Sequence, residues 1–146
     1  MDIRKGLASC YYENTISDLR RLSRKTQEEL SYNSMIYLEV IAFLEEQGGC
    51  TVTGLARALH VSAPAATMKV NGLLQQGLVR KVRGESDKRI SYLTCTDQVK
   101  DIFQAYDRPF ERACRRVERE FSVEEQELFC RILQVFTEEY TKDKDG

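Results

Sequence analysis

The stretch from Thr53 to Thr94, TGLARALHVSAPAATMKVNGLLQQGLVRKVRGESDKRISYLT, constrains the fold more than any other part of the chain. Its apolar residues fall into two short helical runs parted by His60-Val61, followed by two strand-like runs on either side of a polar, cationic tip. Thr53 is read as the N-cap of the first run, with Leu55, Ala56 and Leu59 on its inward face. Ser62 caps the second, and Pro64 sits in its first turn, where a missing N–H costs nothing. Val70, Leu73 and Leu74 anchor this second helix, which leaves Ala63, Ala65, Thr67, Met68 and Lys69 on the remaining arc. Gly77 stops it. Leu78 to Val82 and Ile90 to Leu93 then read as two strands around a wing tip, Arg83 to Arg89. A helix so presented can enter a DNA major groove about 12 Å wide, and a cationic hairpin beside it can reach phosphates or the neighbouring minor groove. A DNA-binding regulator is expected.

The net charge of −1 argues against nucleic acid only until it is divided along the chain. Between Cys50 and Cys95 stand seven basic residues (Arg57, Lys69, Arg80, Lys81, Arg83, Lys88, Arg89) against two acidic ones (Glu85, Asp87), so the remainder is acidic. A local positive field suffices to attract phosphates, while an acidic remainder limits unspecific adhesion. With 146 residues, 42% of them apolar, and only 8 Gly and 2 Pro, the chain can bury one core and has little from which to build a linker. One domain over residues 1–146 is expected.

Several function classes fall away on residue type. The first fifteen residues interleave polar and charged groups where a signal peptide needs an apolar run, and no window nears the ~20 apolar residues of a bilayer span. A cytoplasmic protein without a membrane partner follows. Five scattered cysteines without a CxxC pair, and a single histidine, His60, form neither a disulfide framework nor a metal site. No Gly-rich phosphate loop and no paired nucleophile and base can be found, so neither an enzyme nor a cofactor is expected.

Outside the central stretch the pattern is helical. Tyr12, Ile16, Leu19 and Leu22 mark a long first helix, linked through TQEELS to a broadly apolar, buried second helix near Asn33 to Gln47 that ends at Gly48-Gly49. Thr94 or Thr96 can cap a long helix carrying Val99, Phe103, Tyr106, Phe110, Ala113, Val117 and Phe121 at nearly heptad spacing, and Pro109 predicts a kink or break in it. Ser122 and Glu125 have the form of a capping box for a last helix with Leu128, Ile132, Val135, Phe136 and Tyr140. The tail TKDKDG is expected to fray. The fold class is thus mainly α with a small β-wing, the helix-turn-helix and wing occupying about 51–95 between terminal helices at about 2–26 and 97–141.

This arrangement resembles the MarR family of bacterial transcriptional regulators over nearly the whole chain. Leu55-Ala56, Val61-Ser62, Pro64, Thr67, Val70, Leu73, Gly77-Leu78-Val79, Asp87-x-Arg89 and Leu93-Thr94 carry the likeness through their joint spacing. The resemblance implies a homodimer whose terminal helices interlock and present two winged motifs to successive major grooves of a pseudo-palindromic operator on double-stranded DNA. By position it gives Ser62, Ala63, Pro64, Ala65, Thr67, Met68 and Lys69 to the major groove and Arg89 to the minor groove, with Asp87 orienting Arg89 or a neighbouring arginine. Lys81, Arg83 and Lys88 are left to phosphates. The sequence departs from the family pattern at three alanines, Ala63, Ala65 and Ala66, at Lys69, where an apolar residue is usual, and at Gly72, where a long polar one is.

The same resemblance implies control by a small aromatic or phenolic effector, or by peroxide through a first-helix thiol. Tyr12, Tyr32 and Tyr37, with Tyr11, are the aromatic candidates for a ligand pocket, and Cys10 is the redox candidate. Repression relieved by an effector is the leading expectation. Sensing through Cys10 is the alternative, and a winged-helix protein-interaction module without DNA binding is the competing class.

Overall fold

The structure, a computed structural model, describes residues 1–25 and 30–142, with the side chains of residues 22–25 set aside. Part of the TQEELS link (residues 26–29) and most of the tail (residues 143–146) lie outside the described residues. The elements run α1 (Ile3–Lys25), α2 (Tyr32–Glu46), α3 (Val52–Leu59), α4 (Ala63–Gln75), β1 (Val79–Arg83), β2 (Ser91–Cys95), α5 (Asp97–Glu120) and α6 (Val123–Tyr140). They fall into two compact units, Met1–Ala105 and Tyr106–Gly146, with the division inside α5.

The first unit is built on helix ends that the local sequence dictates. Ser31 caps α2, and Ser62 caps α4 by accepting from the Ala65 amide at 3.2 Å. The α3 cap is Thr51, whose hydroxyl accepts from Gly54 N–H at 3.0 Å, and not Thr53, which lies inside the first turn. Thr51 has the extended backbone, φ −101° and ψ 160°, that an N-cap requires. At the other end, His60 adopts the left-handed conformation at φ 53° while Val61 N–H returns to the Ala56 carbonyl. That sharp turn sets α3 and α4 as a helix-turn-helix.

Gly77, at φ 70°, closes α4 in the same way: its N–H donates to Leu74 O at 3.1 Å and that of Leu78 to Leu73 O at 3.0 Å. Leu78 therefore belongs to the helix cap, and the strands begin a residue later than the alternation suggests. β1 and β2 pair antiparallel in a register that sets Val79 opposite Cys95 and Arg83 opposite Ser91. Cys50 adds a single bridge to Leu93, whose N–H donates to the Cys50 carbonyl at 2.7 Å, so the hairpin is tied to the start of the helix-turn-helix.

Leu38, Ile41, Leu55, Val70, Leu73, Leu93 and Val99 are almost wholly enclosed and form one core shared by α2, the helix-turn-helix, the hairpin and the start of α5. The second helix is less buried than its composition suggests, because Tyr32, Ile36 and Phe43 form an outward stripe and Phe43 is 60% exposed. Thr96 precedes α5, but its hydroxyl donates back to the Gly77 carbonyl at 2.8 Å and that of Thr94 goes to Glu45, so both hydroxyls serve the hairpin root. Of the kink or break expected at Pro109, the break is absent: α5 runs on through it. In the second unit the Ser122–Glu125 capping box is formed in both directions, and α6 buries none of its residues.

Candidate nucleic-acid interface

Ser62, Ala63, Pro64, Ala65, Thr67 and Met68 are all exposed along the leading face of α4, Met68 by 75%. Ala66, Val70 and Leu73 hold the opposite face in the core. The cap at Ser62 fixes where the helix begins and hence which residues occupy its first two turns. Hydrogen-bonding capacity on this arc is small: one threonine hydroxyl, the Ser62 side chain already committed to Ala65 N–H, and methyl surface.

Lys69 differs from this set. Its ammonium donates to Ser34 Oγ at 2.7 Å and lies 5.9 Å from the centre of the Tyr37 ring, so it is engaged by α2 rather than spread on the outer arc. Sequence spacing places Lys69 one residue from Met68 but cannot say which way a four-carbon stem will turn.

The wing tip is more tightly defined. Asp87 Oδ1 accepts from Arg89 Nε at 3.1 Å and from the Arg89 amide at 3.0 Å, and Oδ2 accepts from the guanidinium at 3.1 Å. A planar fork held on both prongs and at its own backbone has little freedom left. The guanidinium side chain is nevertheless 91% exposed. The arginine hydrogen bonds, side chain first and backbone second, hold the Asp87 carboxyl below its ordinary range, so it is ionised at neutral pH. Gly84 lets the tip close, since a Cβ there would stand 2.6 Å from the Asp87 carbonyl. Arg83 and Lys88 flank the tip, Arg80 and Lys81 lie further down β1, and all four are exposed.

A cavity of about 400 Å³ lies between α2 and α4, lined by Ser34, Tyr37, Ala65, Met68, Lys69 and Gly72 among others. Of the tyrosine candidates it contains Tyr37 and neither Tyr12 nor Tyr32, which are 62% and 43% exposed elsewhere on α1 and α2. Cys10 is exposed on α1, its sulfur accepting from Asn14 Nδ2 at 3.3 Å. Among the described residues no helix is long and apolar enough to cross a membrane, and no group of three metal-ligating side chains occurs.

A capped recognition helix with an exposed leading face, followed by a basic hairpin that holds an arginine at its tip, defines a winged helix-turn-helix DNA-binding protein. Residues 34–90 match the model of the MarR family. The transcriptional regulator AdcR of Streptococcus pyogenes is 29% identical over 104 residues, 69% of this chain and 71% of that protein. Its solved structure superposes with a TM-score of 0.59 over 96% of this chain and 98% of the other. The HTH-type transcriptional regulator BilQ of Clostridium symbiosum is 26% identical over 124 residues, 85% of this chain and 86% of that one. FabT of Streptococcus pneumoniae, solved in complex with DNA, shares the fold at a TM-score of 0.67 and 20% identity over 93% of both chains. Together these likenesses support a MarR-family winged-helix regulator that binds DNA.

Proposed function

We propose that this chain is a cytoplasmic, homodimeric repressor that binds a pseudo-palindromic operator and is released by a small-molecule effector. The observation that carries the DNA assignment is the Asp87–Arg89 pair, a guanidinium aligned by three hydrogen bonds yet 91% exposed. Such a group is preorganised for insertion into a narrow minor groove, where the potential is most negative. The α4 arc from Ser62 to Met68 then lies in the major groove, and Lys81, Arg83 and Lys88 meet phosphates that set register without reading sequence. With alanine at positions 63 and 65 of the exposed arc, direct readout rests on Thr67 and methyl contacts, and much of the specificity comes from groove shape at Arg89.

Repression is supported by AdcR, which is described as an adhesin competence repressor. Dimerisation is supported by the second unit, whose α6 exposes Leu128, Phe129, Ile132, Val135 and Phe136, a surface too apolar for a helix facing water. The cavity beside Tyr37 supplies an apolar wall and a cation, which suits a small aromatic anion as effector.

The test is fluorescence anisotropy with a duplex selected by the protein from a randomised pool. Arg89→Ala is expected to weaken binding at least about tenfold, roughly 1.4 kcal/mol, with no change in the dimer on sizing. Unchanged affinity removes the minor-groove role.

A further inference from the structure

We propose that Lys69 is a positioning residue: its bond to Ser34 ties the recognition helix to the first turn of α2 and so fixes the angle at which α4 meets DNA. The proposal rests on the DNA-binding reading above.

A lysine ammonium can only donate, so Ser34 Oγ accepts from Lys69 at 2.7 Å. The Ser34 and Ser31 hydroxyls lie 2.9 Å apart, one donating to the other, and Ser31 Oγ also accepts from the Ser34 amide at 3.1 Å. The three side chains form a continuous hydrogen-bonded chain from the middle of α4 to the N-cap of α2. Ser34 is only 5% exposed, so losing Lys69 leaves an enclosed hydroxyl without the donor it now has.

Electrostatics alone does not explain where this charge sits. The first turn of α2 is the positive end of its dipole and carries no acidic residue, so a cation there is disfavoured. Among the described residues no carboxylate pairs with Lys69, and the face of Tyr37 helps to offset its charge. A lysine governed by charge would turn to water or phosphate, and this one is instead held inward by geometry.

The packing shows what the tie is for. Ala66, Val70 and Leu73 attach α4 to the core along one stripe. On the flank towards α2 the helix borders a cavity of about 400 Å³, widened by Gly72, where a Cβ would meet nothing within 4 Å. Lys69 spans that flank. Its removal leaves α4 in place but loosens its angle, which matters most for a duplex that must meet both α4 and the wing at once.

Anisotropy on the selected duplex and on an unrelated duplex, across a salt series, decides the matter for Lys69→Met, Ser34→Ala and the double variant, each first shown to be folded by circular dichroism. Each single variant is expected to weaken the selected duplex about tenfold, the double variant by no more than either single, and the salt slope and the unrelated duplex to be unchanged. A salt slope reduced by about one in Lys69→Met, with Ser34→Ala like wild type, overturns the proposal in favour of a direct phosphate contact. Wild-type affinity in both single variants overturns it outright. A wild-type protein that enriches no duplex overturns the DNA-binding reading itself, and the tie with it, before any variant is made.

Discussion

Gly49 has a backbone φ of +137°, and a Cβ placed on it would stand 2.5 Å from Tyr92 Cε1. The opposite edge of the same ring, Cε2, would lie 3.1 Å from a Cβ on Gly84, so Tyr92 is seated between the α2–α3 turn and the base of the wing tip. This contact, with the Cys50–Leu93 bridge, fixes the hairpin to the helix-turn-helix and thereby places Arg89. Gly49→Ala is therefore expected to cost about 1–3 kcal/mol through backbone strain alone, with a steric part added. Thermal unfolding measures the total, and in a Tyr92→Ala background the steric part is expected to vanish while the backbone part stays. The sequence shows Gly48-Gly49 as a helix stop because that signal is local. It does not show the tyrosine, which comes from the far side of the helix-turn-helix and meets Gly49 only after the hairpin has folded back.

The caps, the turn at His60 and the capping box at Ser122 are all chemistry between residues three to five apart, and periodicity with cap residues is enough to find them. The misreadings at this scale have the same origin. Thr51 and Thr53 are equivalent as residue types, and backbone conformation chose Thr51; Thr96 stands where a cap belongs, but its hydroxyl found the Gly77 carbonyl across the fold. Pro109 is the clearest case of context overriding propensity. It has no N–H for the Ala105 carbonyl, and the division between the two units falls just after Ala105, yet α5 continues through it. Pro109→Ala restores that bond and is expected to stabilise the protein by about 1–3 kcal/mol, read as a higher midpoint in urea or heat. A lower midpoint would show that the proline is required where it stands.

Two thiols report on the molecule as a whole. Cys50 and Cys95 lie in the core of the first unit, where burial, and secondarily the Glu45 carboxylate, push each up to about 11. The folded state keeps protons that the unfolded chain releases near 9, so this contribution is fully present below about pH 9 and is lost as pH rises towards 11. Urea unfolding is expected to show stability falling across that window, and replacing both cysteines by alanine to flatten the fall while lowering stability overall. An unchanged slope in the double variant would assign the alkaline loss to other groups. The apolar surface of α6 belongs to the same scale: the stripe is visible in the sequence, and the helix buries none of its residues.

The sequence by itself determined the order of elements, the caps at Ser62 and Ser122, the helix stop at Gly77 and the exposed arc of α4 from Ser62 to Met68, because each depends on neighbours within a turn or two of chain. The tertiary structure decided where Lys69 points, which hydroxyls cap and which bind across the fold, that Cys50 joins the hairpin, and that Tyr92 rather than the loop itself seats the wing. In every such case the deciding partner is distant in the chain. Which of several allowed rotamers or hydrogen bonds wins is then set by the packing that brings the partner near, a quantity no local pattern encodes.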